Sequence, residues 1–266
     1  MTIKVADLNG THLHYADRGR QDGPVLVFSN SLGTDHRIWD DVVASLSGDY
    51  RLITYDKRGH GLSGVGDQPY SIDLHARDLL ALLDHLQIDQ VVICGLSVGG
   101  LIAQHIAAIA PGRVRGLILC DTAPKIGDTA GWNARIDAIE KGGMAAIGDA
   151  VIARWLSDDY RQTKIAMTAL YHTMLVRCPV AGYGGTCGAI RDADLTATTA
   201  KLDMPVLCVA GSVDLSTPPD LVRKMAEIIP NAGFALITGV GHLPPVEAPD
   251  QLSRLIDSFI RENGLD

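Results

Sequence analysis

The sequence predicts an α/β protein: a mostly parallel, doubly wound sheet with N-terminal antiparallel strands and a helical cap insertion. Three observations carry this. Apolar runs of strand length, bare of polar alternation, recur along the chain: PVLVFSN (24–30), RLITYD (51–56), QVVICGL (90–96), VRGLILCD (114–121), PVLCVAG (205–211) and FALIT (234–238). Strands apolar on both faces belong to a sheet covered on both sides, which is usually parallel. Segments with helical periodicity alternate with them. That alternation then breaks between about 124 and 200.

Taken in order, IKVADL and HLHYADR alternate and are separated by Asn9-Gly10, a hairpin signal. Ser71 is placed to cap a helix whose Leu79, Leu82, Leu83 and Leu86 share one face. A helix over 101–110 follows the third long apolar run. Residues 124–200 hold Trp132, Trp155, Tyr160, Tyr171 and Tyr183 and no clear strand. They read as a mostly helical cap over the sheet's C-terminal edge, where open α/β sheets bind ligands. The core is then 1–123 with 201–266. Thr217-Pro218 reads as a cap followed by a helix-opening proline. Leu252, Leu255, Ile256 and Phe259 make one face of a last helix.

Composition narrows the function. The 266 residues are 47% hydrophobic and 20% charged, enough for a large core. The net charge of −8 argues against a nucleic-acid or acidic-lipid surface, so an anionic ligand needs a local cation. The five cysteines are irregularly spaced; Cys94, Cys120 and Cys208 sit in apolar runs and read as small buried hydrophobes. With no CxxC, His-rich tract or HExxH, no metal or cofactor is expected. The start lacks a signal-peptide apolar region and no run is long enough for a membrane span, so a cytoplasmic protein is expected.

The chemistry is concentrated in GLSVGG (95–100). A strand that turns sharply into a helix forces its central residue into strained backbone, and small neighbours relieve the crowding. Ser97 would project from that turn as a nucleophile. A serine hydroxyl needs a base. Of the histidines, His12, His14, His75, His85 and His172 read as surface residues. His105 faces away, and His60, in DKRGHGLS, reads as structural. His242 lies in GVGHLPP, a loop after the last apolar run, where catalytic groups sit. Asp214, in GSVDLSTPP, is the favoured acid, with Asp121 as rival. The oxyanion would be met by the backbone N–H of Val98 and of Leu32 in SNSLGT.

With these pieces placed, the chain resembles the α/β-hydrolases over essentially its whole length. Within them it is similar to the 3-oxoadipate enol-lactonases of bacterial aromatic degradation. The resemblance rests on FSNSLGTDHRIWD (28–40), YDKRGHGLS (55–63), GLSVGG, CDTAPKIGD (120–128) with Trp132 and Arg135, AIRDADL (189–195) and GVGHLPPVEAP (239–249). Asn30-Ser31 stands where most relatives carry His-Gly and resembles the enol-lactonase variant. The resemblance implies opening of an anionic small-molecule lactone to 3-oxoadipate through an acyl-enzyme, in the beta-ketoadipate pathway. The lactone's carboxylate then needs a partner: Lys125, Arg135, Arg191 or an indole N–H of Trp132 or Trp155. A broad carboxylesterase or perhydrolase, or a C–C bond hydrolase, would use the same serine. A small-molecule receptor with a retained hydrolase fold is the non-enzymatic alternative.

Overall fold

A computed structural model describes residues 3–266. Strands β1 (Lys4–Leu8) and β2 (Thr11–Gly19) form the N-terminal hairpin. Its turn places Asn9 at φ 48° and Gly10 at φ 76°, both left-handed, as an Asn-Gly two-residue turn requires. Strands β3 (Val25–Ser29), β4 (Arg51–Tyr55), β5 (Val91–Leu96), β6 (Val114–Cys120), β7 (Val206–Gly211) and β8 (Gly233–Ile237) complete one eight-stranded sheet. The order is β1-β2-β4-β3-β5-β6-β7-β8. The two pairings made by β2 are antiparallel and the rest are parallel.

Helices α1 (Asp40–Leu46), α2 (Ile72–His85), α3 (Val98–Ile109), α10 (Pro219–Ile228) and α12 (Pro249–Glu262) belong to the sheet layer. Ser71 caps α2 by accepting the Leu74 N–H at 3.0 Å. Residues 124–200 contribute α4 (Thr129–Gly142), α5 (Gly148–Trp155), α6 (Asp158–Thr163), α7 (Ile165–Val176), α8 (Val180–Asp192) and α9 (Thr196–Thr199), with no strand among them. A short helix, α11 (Pro244–Glu247), follows the loop that carries His242. No helix among the described residues is long and apolar enough to cross a membrane.

The sheet order has a switch point. β4 lies on one side of β3 and β5 on the other, so the chain leaves the ends of β3 and β5 in diverging directions. That divergence opens a crevice outside the strand ends. Ser29 pairs with Gly95 across it, so the segments 30–34 and 97–100 face each other over the crevice.

Four readings of the sequence are corrected. FALIT is not covered on both faces: β8 is the sheet edge and Leu236 is exposed, while Ile237 is buried and the Arg223 guanidinium lies 4.1 Å from the Phe234 ring centre. Thr217 does not cap α10; the cap position is Pro218, because the Thr217 hydroxyl donates to Asp214 at 2.7 Å instead. His14 and His75 are buried, not on the surface. His14 is drawn in by the Asp56 carboxylate at 2.8 Å, and His75 lies 3.3 Å from the Thr186 hydroxyl of α8, which folds down over α2. The third long helix starts at Val98, three residues earlier than read.

One buried ion pair braces the frame. Arg58 and Asp78 are each about 2% exposed or less and meet through two bonds of 2.5 and 2.6 Å. Asn9 joins them, donating to Asp78 at 2.8 Å and accepting from Arg58 at 3.1 Å. Breaking such a pair strands a charge in the interior. Arg58→Met is therefore expected to lower unfolding free energy by about 3–5 kcal/mol, read from the urea midpoint. The double change Arg58→Met with Asp78→Leu should recover most of it. A single variant as stable as the parent would show the pair to be solvated.

Candidate active site

The strand-to-helix turn at 95–100 explains its own composition. Ser97 sits at φ 57°, ψ −117°, a conformation costly for any residue with a Cβ. It is held by Ser97 N–H donating to the Cys120 carbonyl at 3.0 Å and by the Thr122 hydroxyl donating to the Ser97 carbonyl at 2.7 Å. The glycines are there for space. A Cβ on Gly99 would lie 2.0 Å from the Ser29 carbonyl oxygen, and one on Gly100 would lie 2.4 Å from a Thr122 carbon. The result is a serine at the start of α3, at the floor of the crevice.

His242 follows β8 in a loop pinned by residues of the 124–200 segment. Its N–H donates to the Trp155 carbonyl at 2.7 Å. Glu247 accepts from the Gly241 N–H at 3.0 Å and from the Ser157 backbone and hydroxyl, tying the loop to the end of α5. The His242 Nδ1 lies 2.8 Å from the Asp214 carboxylate. Asp214 also accepts from Ser216 N–H at 2.6 Å and from the Thr217 hydroxyl. Burial would raise its pKa, but His242 and these donors outweigh burial and hold it at about 2. The other imidazole nitrogen, Nε2, lies 3.5 Å from the Ser31 hydroxyl, at the outer limit of a hydrogen bond.

Asp121, the rival acid, is nearby but differently placed. It accepts the Gly211 N–H at 2.8 Å on one oxygen, and the other has no hydrogen-bond partner among the described residues. Burial and the Asp214 charge push its pKa well above the usual carboxylate range. Of the two carboxylates, Asp214 is favoured in its charged form and Asp121 in its protonated form.

Ser97, His242, Ser31 and Leu32 line one cavity of about 360 Å³, together with Trp132, Arg135, Arg154, Trp155 and Tyr183 from 124–200. A larger cavity, about 600 Å³, lies to one side between Asp35, Arg37, Met174 and Arg177 and includes neither Ser97 nor His242. Beside it His14 and His36 cluster with Asp56. The Asp56 carboxylate is committed there to the N–H groups of His36 and Leu62 and to His14, at 2.8, 2.9 and 2.8 Å.

The structure separates the cations named from the sequence. Arg135 lines the cavity that holds Ser97 and His242, with its guanidinium 5.0 Å from the Trp132 ring centre. Lys125 and Arg191 do not line it. Lys125 is exposed and paired with Asp194 at 3.1 Å. Arg191 lies between Asp192 and Asn133, at 2.7 and 2.9 Å. The Trp132 indole N–H is spent on the Ile126 carbonyl at 2.7 Å, so this side chain offers a face rather than a donor. Trp155 is buried and walls the cavity.

Sequence reasoning missed Arg154 and Tyr183. Arg154 reaches back to the Leu215 carbonyl, beside Asp214 in sequence. Tyr183 is fully buried, and its hydroxyl has no hydrogen-bond partner among the described residues. Burial pushes its phenol up, opposed by Arg135 alongside. Neither Arg135 nor Arg154 pairs with a carboxylate among the described residues. The only signal for Tyr183 was its setting in the glycine-rich VAGYGGTCG. There Gly182 lets α8 approach Gly59 so closely that a Cβ would meet backbone at 2.2 Å.

Comparison with known proteins agrees with this architecture. A 3-oxoadipate enol-lactonase of Acinetobacter baylyi is 34% identical, over 98% of this chain and 97% of its own. A crystal structure of the enol-lactonase from Burkholderia xenovorans superposes with a TM-score of 0.94 at 35% identity, covering 97% of this chain and all of that one. A thermophilic esterase from Thermogutta terrifontis, solved with malate bound, reaches a TM-score of 0.91 at 26% identity, over 97% of this chain and 98% of that one. The alpha/beta hydrolase family profile matches residues 26–255, from within β3 to about the second turn of the last helix. With its doubly wound sheet, its glycine-cleared serine turn and this match, the chain belongs to the alpha/beta hydrolase family.

Proposed function

We propose that the protein is a serine lactonase that opens 3-oxoadipate enol-lactone to 3-oxoadipate, a step in the degradation of aromatic compounds. The observation that carries the substrate is a cation, Arg135, in the lining of the cavity that holds Ser97. Arg135, free of any carboxylate partner among the described residues, lies alongside the buried phenol of Tyr183, and both residues line the cavity that also holds Ser97. A buried hydroxyl without a partner is costly, and a substrate carboxylate would satisfy it while neutralising the cation. The relatives named as enol-lactonases support the same reading.

The proposed steps are these. His242 takes the Ser97 proton at Nε2 while its Nδ1–H stays on Asp214. Ser97 Oγ attacks the lactone carbonyl, and the N–H groups of Leu32 and Val98 receive the oxyanion. Collapse breaks the ring C–O bond and releases an enol oxygen, a better leaving group than a simple alkoxide, so proton delivery from His242 is undemanding. The enol becomes a ketone. His242 then draws a proton from water, which attacks the acyl-enzyme and regenerates Ser97.

Loss of the enol-lactone's ultraviolet absorbance tests the reading directly. Serine-dependent loss well above the spontaneous rate is expected; loss no faster than background would discard this substrate. Arg135→Met tests the clamp. KM for the lactone should rise about 10- to 100-fold, the scale of a charged hydrogen bond, with KM for phenyl acetate within about twofold. Equal effects on both would remove Arg135 from carboxylate binding. A kcat/KM higher on short neutral esters than on the lactone would favour the broad carboxylesterase reading.

A further inference from the structure

Lys57 follows β4 and is 1% exposed. Its ammonium donates to two carbonyls of the loop after β3, Ser31 at 2.6 Å and Asn30 at 3.3 Å. Among the described residues it makes no ion pair. The groups facing it are the carboxylates of Asp35 and Asp56, the Cys178 thiol, and the imidazoles of His60 and His75. A charge without a paired carboxylate in this position is expensive, and a methionine would fill the same space without that cost. The position calls for a reason beyond packing.

The reason lies in one peptide unit. The Ser31 carbonyl and the Leu32 N–H belong to the same peptide. In a trans peptide these two groups point in opposite directions. The only cis peptide among the described residues is Gln68-Pro69. A cation drawn onto the Ser31 oxygen therefore turns the Leu32 N–H away from the lysine, and Ser31 and Leu32 both line the cavity with Ser97. The Leu32 N–H donates to no protein acceptor among the described residues. The Thr34 hydroxyl and N–H also hold the Ser31 carbonyl, at 2.9 and 3.4 Å. Thr34 thus helps fix the carbonyl's place, and what Lys57 alone adds is charge, which strengthens the N–H at the other end of the peptide.

We propose that Lys57 is a positioning residue of the oxyanion hole, its ammonium on the Ser31 carbonyl aiming and polarising the Leu32 N–H that receives the oxyanion. This rests on Ser97 as nucleophile and Leu32 as donor, not on the identity of the lactone. The ammonium is held only weakly: burial lowers the Lys57 pKa to about 7. As pH rises through neutrality the lysine loses its proton and the polarisation with it, so turnover should fall on the alkaline side.

The test uses Lys57→Met and Lys57→Gln in the full chain with phenyl acetate as substrate. For Lys57→Met, kcat should drop about 10- to 100-fold, below the loss for a direct oxyanion donor, with KM within about threefold. A trifluoromethyl ketone, which forms an oxyanion adduct with the serine, should lose affinity by the same factor as kcat/KM. The matching methyl ketone should bind as before. Lys57→Gln should recover part of the loss, because its amide can donate to the Ser31 carbonyl. The alkaline decline in wild-type kcat should be absent from Lys57→Met. A folded Lys57→Met with kcat within twofold of wild type overturns the proposal. If that variant does not fold, Lys57→Gln decides, and a folded Lys57→Gln that binds the trifluoromethyl ketone and turns over phenyl acetate as wild type does overturns it. Ser97→Ala run alongside separates the two readings. A dead serine variant beside an active lysine variant removes only the role of Lys57; two active variants remove the nucleophile as well.

Discussion

Ser97→Ala is expected to reduce kcat by about 10⁴-fold or more on any ester the protein turns over. In the proposed mechanism Ser97 forms the acyl bond, so its removal deletes a covalent route rather than weakening a contact. What survives is the rest of the site. The oxyanion donors and the bound geometry still favour direct attack by water, which leaves a residual rate above background by about 10³-fold in sites of this kind. The fold should be unaffected. Alanine keeps the Cβ that pays the strain of φ 57°, and the backbone bonds that hold the turn come from Ser97 N–H and C=O, not from its hydroxyl. The measurement is kcat for phenyl acetate and for the enol-lactone, with the urea midpoint as control. Near wild-type turnover in a folded variant would rule out the serine mechanism.

Much of this architecture was legible in the sequence, for local reasons. The buried strands β3 to β7 announce themselves because a sheet covered on both faces needs no polar alternation. The turn at 95–100 is legible because backbone approach there excludes side chains, and the distances at Gly99 and Gly100 show why. The edge strand β8 was misread for the converse reason: its composition is apolar, and only its place in the sheet order exposes it. Lys125 and Arg191 illustrate a second limit. A cation in a cap segment is equally at home on a salt bridge or in a cavity, and helix packing decides between them. Tyr183 and Lys57 illustrate a third. Their polar atoms matter because of what surrounds them in space, Gly59 against Gly182 in one case and the Ser31 carbonyl in the other. A strand-following lysine read along the chain looks like surface.

Asp214→Asn should cost nearly as much as loss of the serine, about 10⁴-fold in kcat near neutral pH, whereas Asp121→Asn should cost less than about tenfold. The two carboxylates share a neighbourhood with His242, their oxygens and a ring nitrogen all within 4.8 Å of one another. Their states differ. Asp214 is ionised down to about pH 2, and its charge is what keeps the proton on Nδ1 of His242 and supports the imidazolium during attack. Asparagine there removes the charge and offers an N–H to Nδ1, which moves the ring proton to Nε2, the nitrogen that has to accept the Ser97 proton. Burial and the Asp214 charge favour the protonated form of Asp121, the form that asparagine mimics. The amide oxygen still accepts the Gly211 N–H, and the amide N–H replaces the acid proton. The linkage signs are opposite as well. The lowered pKa of Asp214 contributes stability above the usual carboxylate range that is lost as pH falls toward 2. The raised pKa of Asp121 favours the folded state only at acid pH and works against it as pH rises through that raised value, so Asp121→Asn should leave the urea midpoint at pH 7 unchanged or higher. Comparable losses of kcat in both variants would mean that the proton is shared between the two acids and that Asp214 does not act alone on His242.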